Sequence, residues 1–269
     1  GASGARAAYA KTREEAVTTL GGRLDKIHTA SSRQLSLTIF ADGRIGSFST
    51  SRLEEKELKE FVERAVQLTS LLEPDEFNVM PDPSLCLKGD GPDLEIYDAD
   101  VERMTASDLR TKVLECNGNV LRTAPKGLNA IETEMGISST LDCLADTQGL
   151  LCTSRSTLFT VSSECSLTDP SGARPESGWW DQKIRSADLE PERCGEVALE
   201  RGLANLGAQK VPSRRYDVIL DTEVASKFVK PLIKSLTGAA QGQKRTFIPD
   251  CLDRKTFYEG LGIVETPHL

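Results

Sequence analysis

The stretch Gln34-Leu-Ser-Leu-Thr-Ile-Phe-Ala41, followed by Asp42-Gly43 and then Arg44-Ile-Gly-Ser-Phe-Ser49, decides the fold. Leu35, Leu37 and Ile39 recur at period two, which puts them on one face of a strand. Asp42-Gly43 is a two-residue hairpin signal, because both positions tolerate positive φ. Upstream, Ala5 to Thr19 leads to Gly21-Gly22, a second turn signal, and Arg23 to Ala30 returns from it. Two hairpins in succession predict a β-meander of about four strands.

Helix signals follow at once. Ser51-Arg-Leu-Glu54 has capping-box spacing, and Leu58, Phe61, Val62, Ala65, Val66, Thr69 and Leu72 recur at helical spacing until Glu73-Pro74. This helix is expected across one face of the meander, whose apolar side would otherwise meet water. Residues 73–98 carry Pro74, Pro81, Pro83, Gly89, Gly91 and Pro92 and read as an extended connector. A second helix is predicted from Ala106 to Cys116, capped by Thr105 and ended by Asn117-Gly118.

A second β-rich region runs from Leu128 to Ser166. Ile131 to Ile137 and Ser139 to Leu144 are short strand candidates, Thr147-Gln-Gly149 is a turn, and Leu150 to Cys165 alternates. Thr168-Asp-Pro-Ser-Gly172 is another turn, and Trp179-Trp180 lies on a strand after Gly178, one ring expected in the core and the other at a groove or interface. Asp188-Leu-Glu-Pro191 opens a helix with proline in its first turn and Gly207 closes it. After Val211-Pro212, Tyr216 to Leu220 reads as a buried strand, and Thr222 caps a helix that contains Pro231 and ends at Gly238. Gly262 to Val264 reads as a further strand.

The fold class predicted is α+β: tandem β-meander/helix units, then the start of a β-rich C-terminal domain. The divisions are 1–98, an N-terminal α/β unit with its connector; 99–210, a central α+β unit; and 211–269, the beginning of the C-terminal domain. The abrupt end after a new strand predicts further chain beyond residue 269, and the loop-like Gly1-Ala2-Ser3-Gly4 predicts chain before it.

Composition narrows function. The 269 residues are 38% apolar and 28% charged, ordinary for a globular protein with a real core. No apolar run approaches the roughly 20 residues that span a bilayer, so no membrane partner is expected. Net charge is −8, and the densest basic stretches, Lys244-Arg245 and Arg214-Arg215, hold two charges each; direct nucleic-acid binding is not expected. The seven cysteines, at 86, 116, 143, 152, 165, 194 and 251, contain no C-x-x-C pair and read as reduced thiols of a cytoplasmic protein.

Chemistry-bearing patterns are scarce. The two histidines, His28 and His268, have none of the helical spacing of a zinc site and no nucleophile nearby in sequence. Gly238-Ala-Ala-Gln-Gly242-Gln-Lys244 fails as a phosphate loop, because it follows a helix and its lysine does not directly follow the glycine. Glu54-Glu55-Lys56-Glu57 is a solvated helix face. No catalytic, metal or cofactor-binding residue is assigned.

A series of motifs resembles the TldD/PmbA family. Phe40-Ala-Asp-Gly-Arg-Ile-Gly-Ser-Phe-Ser-Thr-Ser51 before an acidic helix is similar to the family's N-terminal signature, as is Pro92-Asp-Leu-Glu-Ile-Tyr-Asp98. Ser177-Gly-Trp-Trp180 with Arg185-Ser-Ala-Asp-Leu189 resembles the end of its middle region, and Asn205-Leu-Gly-Ala-Gln-Lys-Val-Pro-Ser213 its linker. Val224 to Thr246 and Thr266-Pro-His-Leu269 resemble the opening of its C-terminal region. TldD-type chains of that family carry H-E-x-x-x-H on the corresponding helix; here it reads Phe228-Val-Lys-Pro-Leu-Ile-Lys234. The resemblance therefore implies the PmbA (TldE) side, historically called modulators of DNA gyrase. It implies a non-catalytic subunit of a bacterial, cytoplasmic zinc metallopeptidase, a hydrolase, acting on peptides or unfolded proteins. It also implies a TldD-like partner that holds the zinc, or self-association, and no cofactor in this chain. The alternatives are an independent peptidase using residues outside this segment, or a non-enzymatic scaffold.

Overall fold

The computed structural model describes residues 2–87 and 92–266. The chain divides into two compact units, Gly1–Ala208 and Gln209–Leu269.

The first unit is built on one six-stranded antiparallel sheet in the order β3-β2-β1-β4-β5-β6. The strands are β1 (Gly4–Leu20), β2 (Arg23–Ala41), β3 (Arg44–Thr50), β4 (Leu128–Asp146), β5 (Leu151–Leu167) and β6 (Glu176–Lys183). Both hairpin signals are realised: Gly21 and Gly22 have φ of 56° and 78°, and Asp42 and Gly43 have φ of 48° and 73°, as a type I′ turn requires. Two expectations change. The first meander has three strands instead of four, because β2 runs unbroken from turn to turn, and the two short candidates at 131–144 are a single strand. The second meander then pairs with the first through β1 and β4, from Arg6↔Asp146 to Leu20↔Glu132, so the two α+β halves share one sheet.

All the helices of this unit that pack on the sheet take one face, which carries odd-numbered residues of β1, β2, β4 and β5 and even-numbered residues of β3. α1 (Glu55–Thr69) covers Leu37, Ile39 and Phe48 at one end. α2 (Ala106–Thr123) and α3 (Pro191–Ala204) cover Val17, Met135, Ile137, Phe159 and Val161 at the other. The Ser51/Glu54 capping box does not form: Glu54 is itself the N-cap and makes no side-chain cap bond. Thr105 does form one, its hydroxyl accepting from the Asp108 N–H while Asp108 accepts from the Thr105 N–H. α2 does not stop at Asn117-Gly118. Asn117 is fully buried and its amide donates to the Ile131 carbonyl at 3.2 Å, so tertiary packing carries the helix on until the residue before Pro125. α3 lies close to the sheet because it offers glycines there: a Cβ at Gly202 would sit 2.8 Å from Cys165 Sγ and from Leu167 Cδ1.

In the second unit, α4 (Thr222–Leu236) contains Pro231 and is followed by α5 (Gly238–Gly242). Asp221, not Thr222, caps α4, accepting from the Glu223 N–H at 3.0 Å. The strands expected at Tyr216–Leu220 and Gly262–Val264 are loop, and the described residues of this unit contain no strand. An apolar run becomes a strand only where another strand accepts its hydrogen bonds, and Val218 and Ile219 stand exposed with none.

Candidate functional site

The backbone parity of the sheet fixes which of its groups are free. The Gly21 N–H donates to the Ile131 carbonyl at 2.9 Å, continuing the Leu20↔Glu132 register. Odd residues of β1 therefore face β4 and even residues face β2. On β2, even residues then face β1 and odd residues face outward. β3 takes up that outward side only from Leu35↔Thr50 to Ala41↔Arg44. Along Ile27, Thr29, Ser31 and Arg33 the outward N–H and C=O groups have no strand opposite them among the described residues, which leaves an edge able to accept one. The opposite edge is partly closed: the outward N–H of Thr157 on β5 donates to the Ile96 carbonyl of the connector at 2.9 Å.

That connector is fixed by carboxylates. Asp98 accepts from the Ser186 N–H at 2.8 Å and from the Asp100 N–H at 2.9 Å. Partial burial pushes the Asp98 carboxyl up, but these backbone donors outweigh it and hold its pKa below the ordinary value. Trp179 is half-buried beneath α3, with the Arg201 guanidinium 4.2 Å over its ring. Trp180 is on the other face and 60% exposed.

The residues weighed from sequence stay scattered. His28 is exposed on β2; Gly89, Gly91 and His268 lie outside the described residues. Gly238–Gly242 is a five-residue helix. Cys116, Cys165 and Cys194 are buried and free, and burial raises the thiol pKa of each, Cys194 to about 11; a protonated thiol is a poor nucleophile and metal ligand. On α4, Lys230 and Lys234 lie four residues apart on one face, both exposed. A zinc ion needs imidazole, thiolate or carboxylate donors converging on it, and two solvated ammonium groups repel it. This donor set does not fit the metal. Among the described residues, no group of three or more His, Cys, Asp or Glu side chains is placed to hold a metal ion. No described helix is long and apolar enough to cross a membrane. The free edge of β2 is the feature that sequence reading missed: it follows from the unequal lengths of β2 and β3, which alternation alone did not give.

Fold and site together define an α+β domain with a one-sided helical cover, an open strand edge and no metal-ligand set on α4. Comparison with known proteins extends this. The family profile described as PmbA/TldA metallopeptidase domain 1 matches residues 5–69. Metalloprotease PmbA of Escherichia coli O157:H7 is 26% identical over 275 residues, covering 99% of this chain and 58% of that protein. The PmbA homolog of Haemophilus influenzae is 24% identical over 95% of this chain and 58% of its own length. A crystal structure from Bacteroides thetaiotaomicron, of a candidate modulator of DNA gyrase, superposes with a TM-score of 0.84 at 29% identity, covering 92% of this chain and 56% of that one. TldE from Thermococcus kodakarensis shares the fold, with a TM-score of 0.62 at 17% identity over 75% of this chain and 44% of that one. The chain is similar to the PmbA/TldD family over nearly its whole length, and it spans a little over half the length of the PmbA relatives it matches.

Proposed function

We propose that this chain is the sheet-bearing part of a PmbA/TldE-like subunit, the partner that holds no metal in a cytoplasmic TldD/TldE-type zinc metallopeptidase. Its role is to hold extended or unfolded peptide, by strand addition along Ile27–Arg33 of β2, while a TldD-like chain supplies the zinc and the hydrolysis. The observation that carries the reading is α4, Thr222–Leu236: it holds no histidine or cysteine, and its Lys230 and Lys234 are exposed on one face. A second reading, an independent peptidase whose active residues lie outside this segment, is favoured by the names of the relatives, which are themselves called metalloproteases.

Metal analysis and peptidase assay of the full-length protein purified without a partner separate the two. The first reading expects no stoichiometric zinc, no hydrolysis alone, and activity on adding a TldD-like chain that co-purifies with it. Tight zinc with partner-free hydrolysis supports the second and overturns the first. Recovery of neither a TldD-like chain nor bound peptide would point to a scaffold.

A further inference from the structure

Between the patch covered by α1 and the patch covered by α2, that face of the sheet is open and contains a cavity of about 450 Å³. Its floor is Ile137, Ser139 and Leu141 of β4, apolar but for the one hydroxyl, with Val101 as a wall. Its rim is cationic, with Lys11 and Arg13 from β1 and Arg155 from β5. The register explains the grouping: Arg33, Lys11, Leu141 and Arg155 stand in one row across β2, β1, β4 and β5.

Two of these cations are satisfied within the chain. Arg155 donates to Glu102 at 2.6 Å and lies 4.0 Å over the ring of Tyr97, whose hydroxyl donates to the same carboxylate at 2.6 Å. Those two hydrogen bonds hold the Glu102 carboxyl below its ordinary pKa, so this wall is a fixed ion pair. Arg13 is paired with Glu15. Lys11 and Arg33 have no ion-pair partner among the described residues. By the parity derived above they form a non-hydrogen-bonded cross-strand pair, the kind whose side chains come closest. Like charges directly opposed across two strands destabilise a sheet. A chain of net charge −8 thus lines this hollow with three cations, Lys11, Arg13 and Arg155, against one carboxylate, Glu102, and places Arg33 beside Lys11 in the register.

We propose that this cavity binds an acidic peptide, one carboxylate side chain lying at the cavity's Lys11 edge, on the side where Arg33 is Lys11's cross-strand neighbour, and a neighbouring apolar side chain filling the hollow over Ile137 and Leu141. The charge complementarity selects the carboxylate, and the floor selects the aliphatic neighbour. The site uses side chains on the sheet face and not the backbone groups of the β2 edge; Arg33 borders both, whereas Lys11 lies on β1 away from that edge, and the site does not depend on a peptidase partner.

The test is fluorescence anisotropy on the full-length protein with a labelled, end-blocked peptide containing Leu-Glu in a Gly/Ser background. Leu-Gln and Gly-Glu versions are compared, and inorganic phosphate is the competitor. The proposal expects the Gln and Gly replacements each to weaken binding about fivefold or more, and Lys11→Gln and Arg33→Gln each to weaken the Leu-Glu peptide by a similar factor with steep salt dependence. Both variants should keep or raise Tm, since each relieves the opposed charges; this readout is independent of the peptide. Equal binding of the Gln peptide, or no effect of either variant, overturns the proposal. Displacement by equimolar phosphate would assign the patch to simple anions, and failure of the full-length protein to bind at all would assign its occupancy to the rest of the protein; either outcome overturns the peptide site.

Discussion

Replacing Ser31 by proline should separate the strand edge from the fold that carries it. Ser31 is odd-numbered on β2, so its N–H points away from β1 and makes no bond in the sheet. Proline is tolerated at such an edge position, and the folding cost should stay below about 1 kcal/mol. A peptide strand added along Ile27, Thr29, Ser31 and Arg33 loses the Ser31 donor and is held off the adjacent carbonyl by the ring. That removes one to two hydrogen bonds at roughly 1 kcal/mol net each. The predicted loss is therefore about 1–2 kcal/mol, or about five- to thirtyfold in affinity. Ser32→Pro is the control, because Ser32 pairs with Thr12 and its N–H lies on the β1 side. It should cost about 1–3 kcal/mol of stability by leaving a ladder acceptor unpaired. The assay is anisotropy of a labelled, Thr/Val-rich extended peptide on the full-length protein, with urea unfolding of each variant in parallel. If folded Ser31→Pro binds the peptide as tightly as the unmodified protein, the edge is not where peptide is held.

Three further outcomes follow from packing and charge. Gly195→Ala places a methyl 2.6 Å from Val120 Cγ2 and 3.2 Å from Cys116 Sγ, so it should destabilise by about 1–3 kcal/mol in urea unfolding despite alanine's better helix propensity. Burial raises the Cys194 thiol from 9.0 to about 11. A raised folded-state pKa means that its stabilisation is complete below about pH 9 and is lost as pH rises towards 11, on the order of 2 kcal/mol in all. Comparing urea unfolding of the native protein and Cys194→Ala between pH 8 and pH 10.5 should show the extra slope only in the native protein. Thr105→Ala removes the hydroxyl that accepts from the Asp108 N–H at 3.3 Å, and should lower stability by about 1 kcal/mol, measured as a shift in the urea midpoint at unchanged slope.

Much of the fold could be read along the chain because its signals are local. Leu37 and Ile39 alternate into the core beneath α1, Asp42-Gly43 makes the turn its backbone permits, and Thr105 and Pro191 begin their helices as expected. The misreadings of α2 and of residues 216–220 share a cause: each depended on a partner far away in sequence. Asn117-Gly118 carries a stop signal, yet Asn117 finds the Ile131 carbonyl and the helix continues. Ser51 and Glu54 have capping-box spacing, but the chain enters α1 later and leaves Glu54 as the cap. The run from Tyr216 to Leu220 has strand composition and no strand to pair with.

The sequence by itself determined the α+β character, the hairpins, the helical cover and the lysines on α4, because periodicity, turn chemistry and residue identity are properties of short segments. Only the tertiary structure decided that the two meanders join through β1 and β4, that β2 outruns β3 and leaves Ile27–Arg33 open, and that Arg33, Lys11 and Arg155 share one row. Pairing and register are relations between segments distant in sequence, and a one-residue shift in either would turn every one of those side chains to the other face.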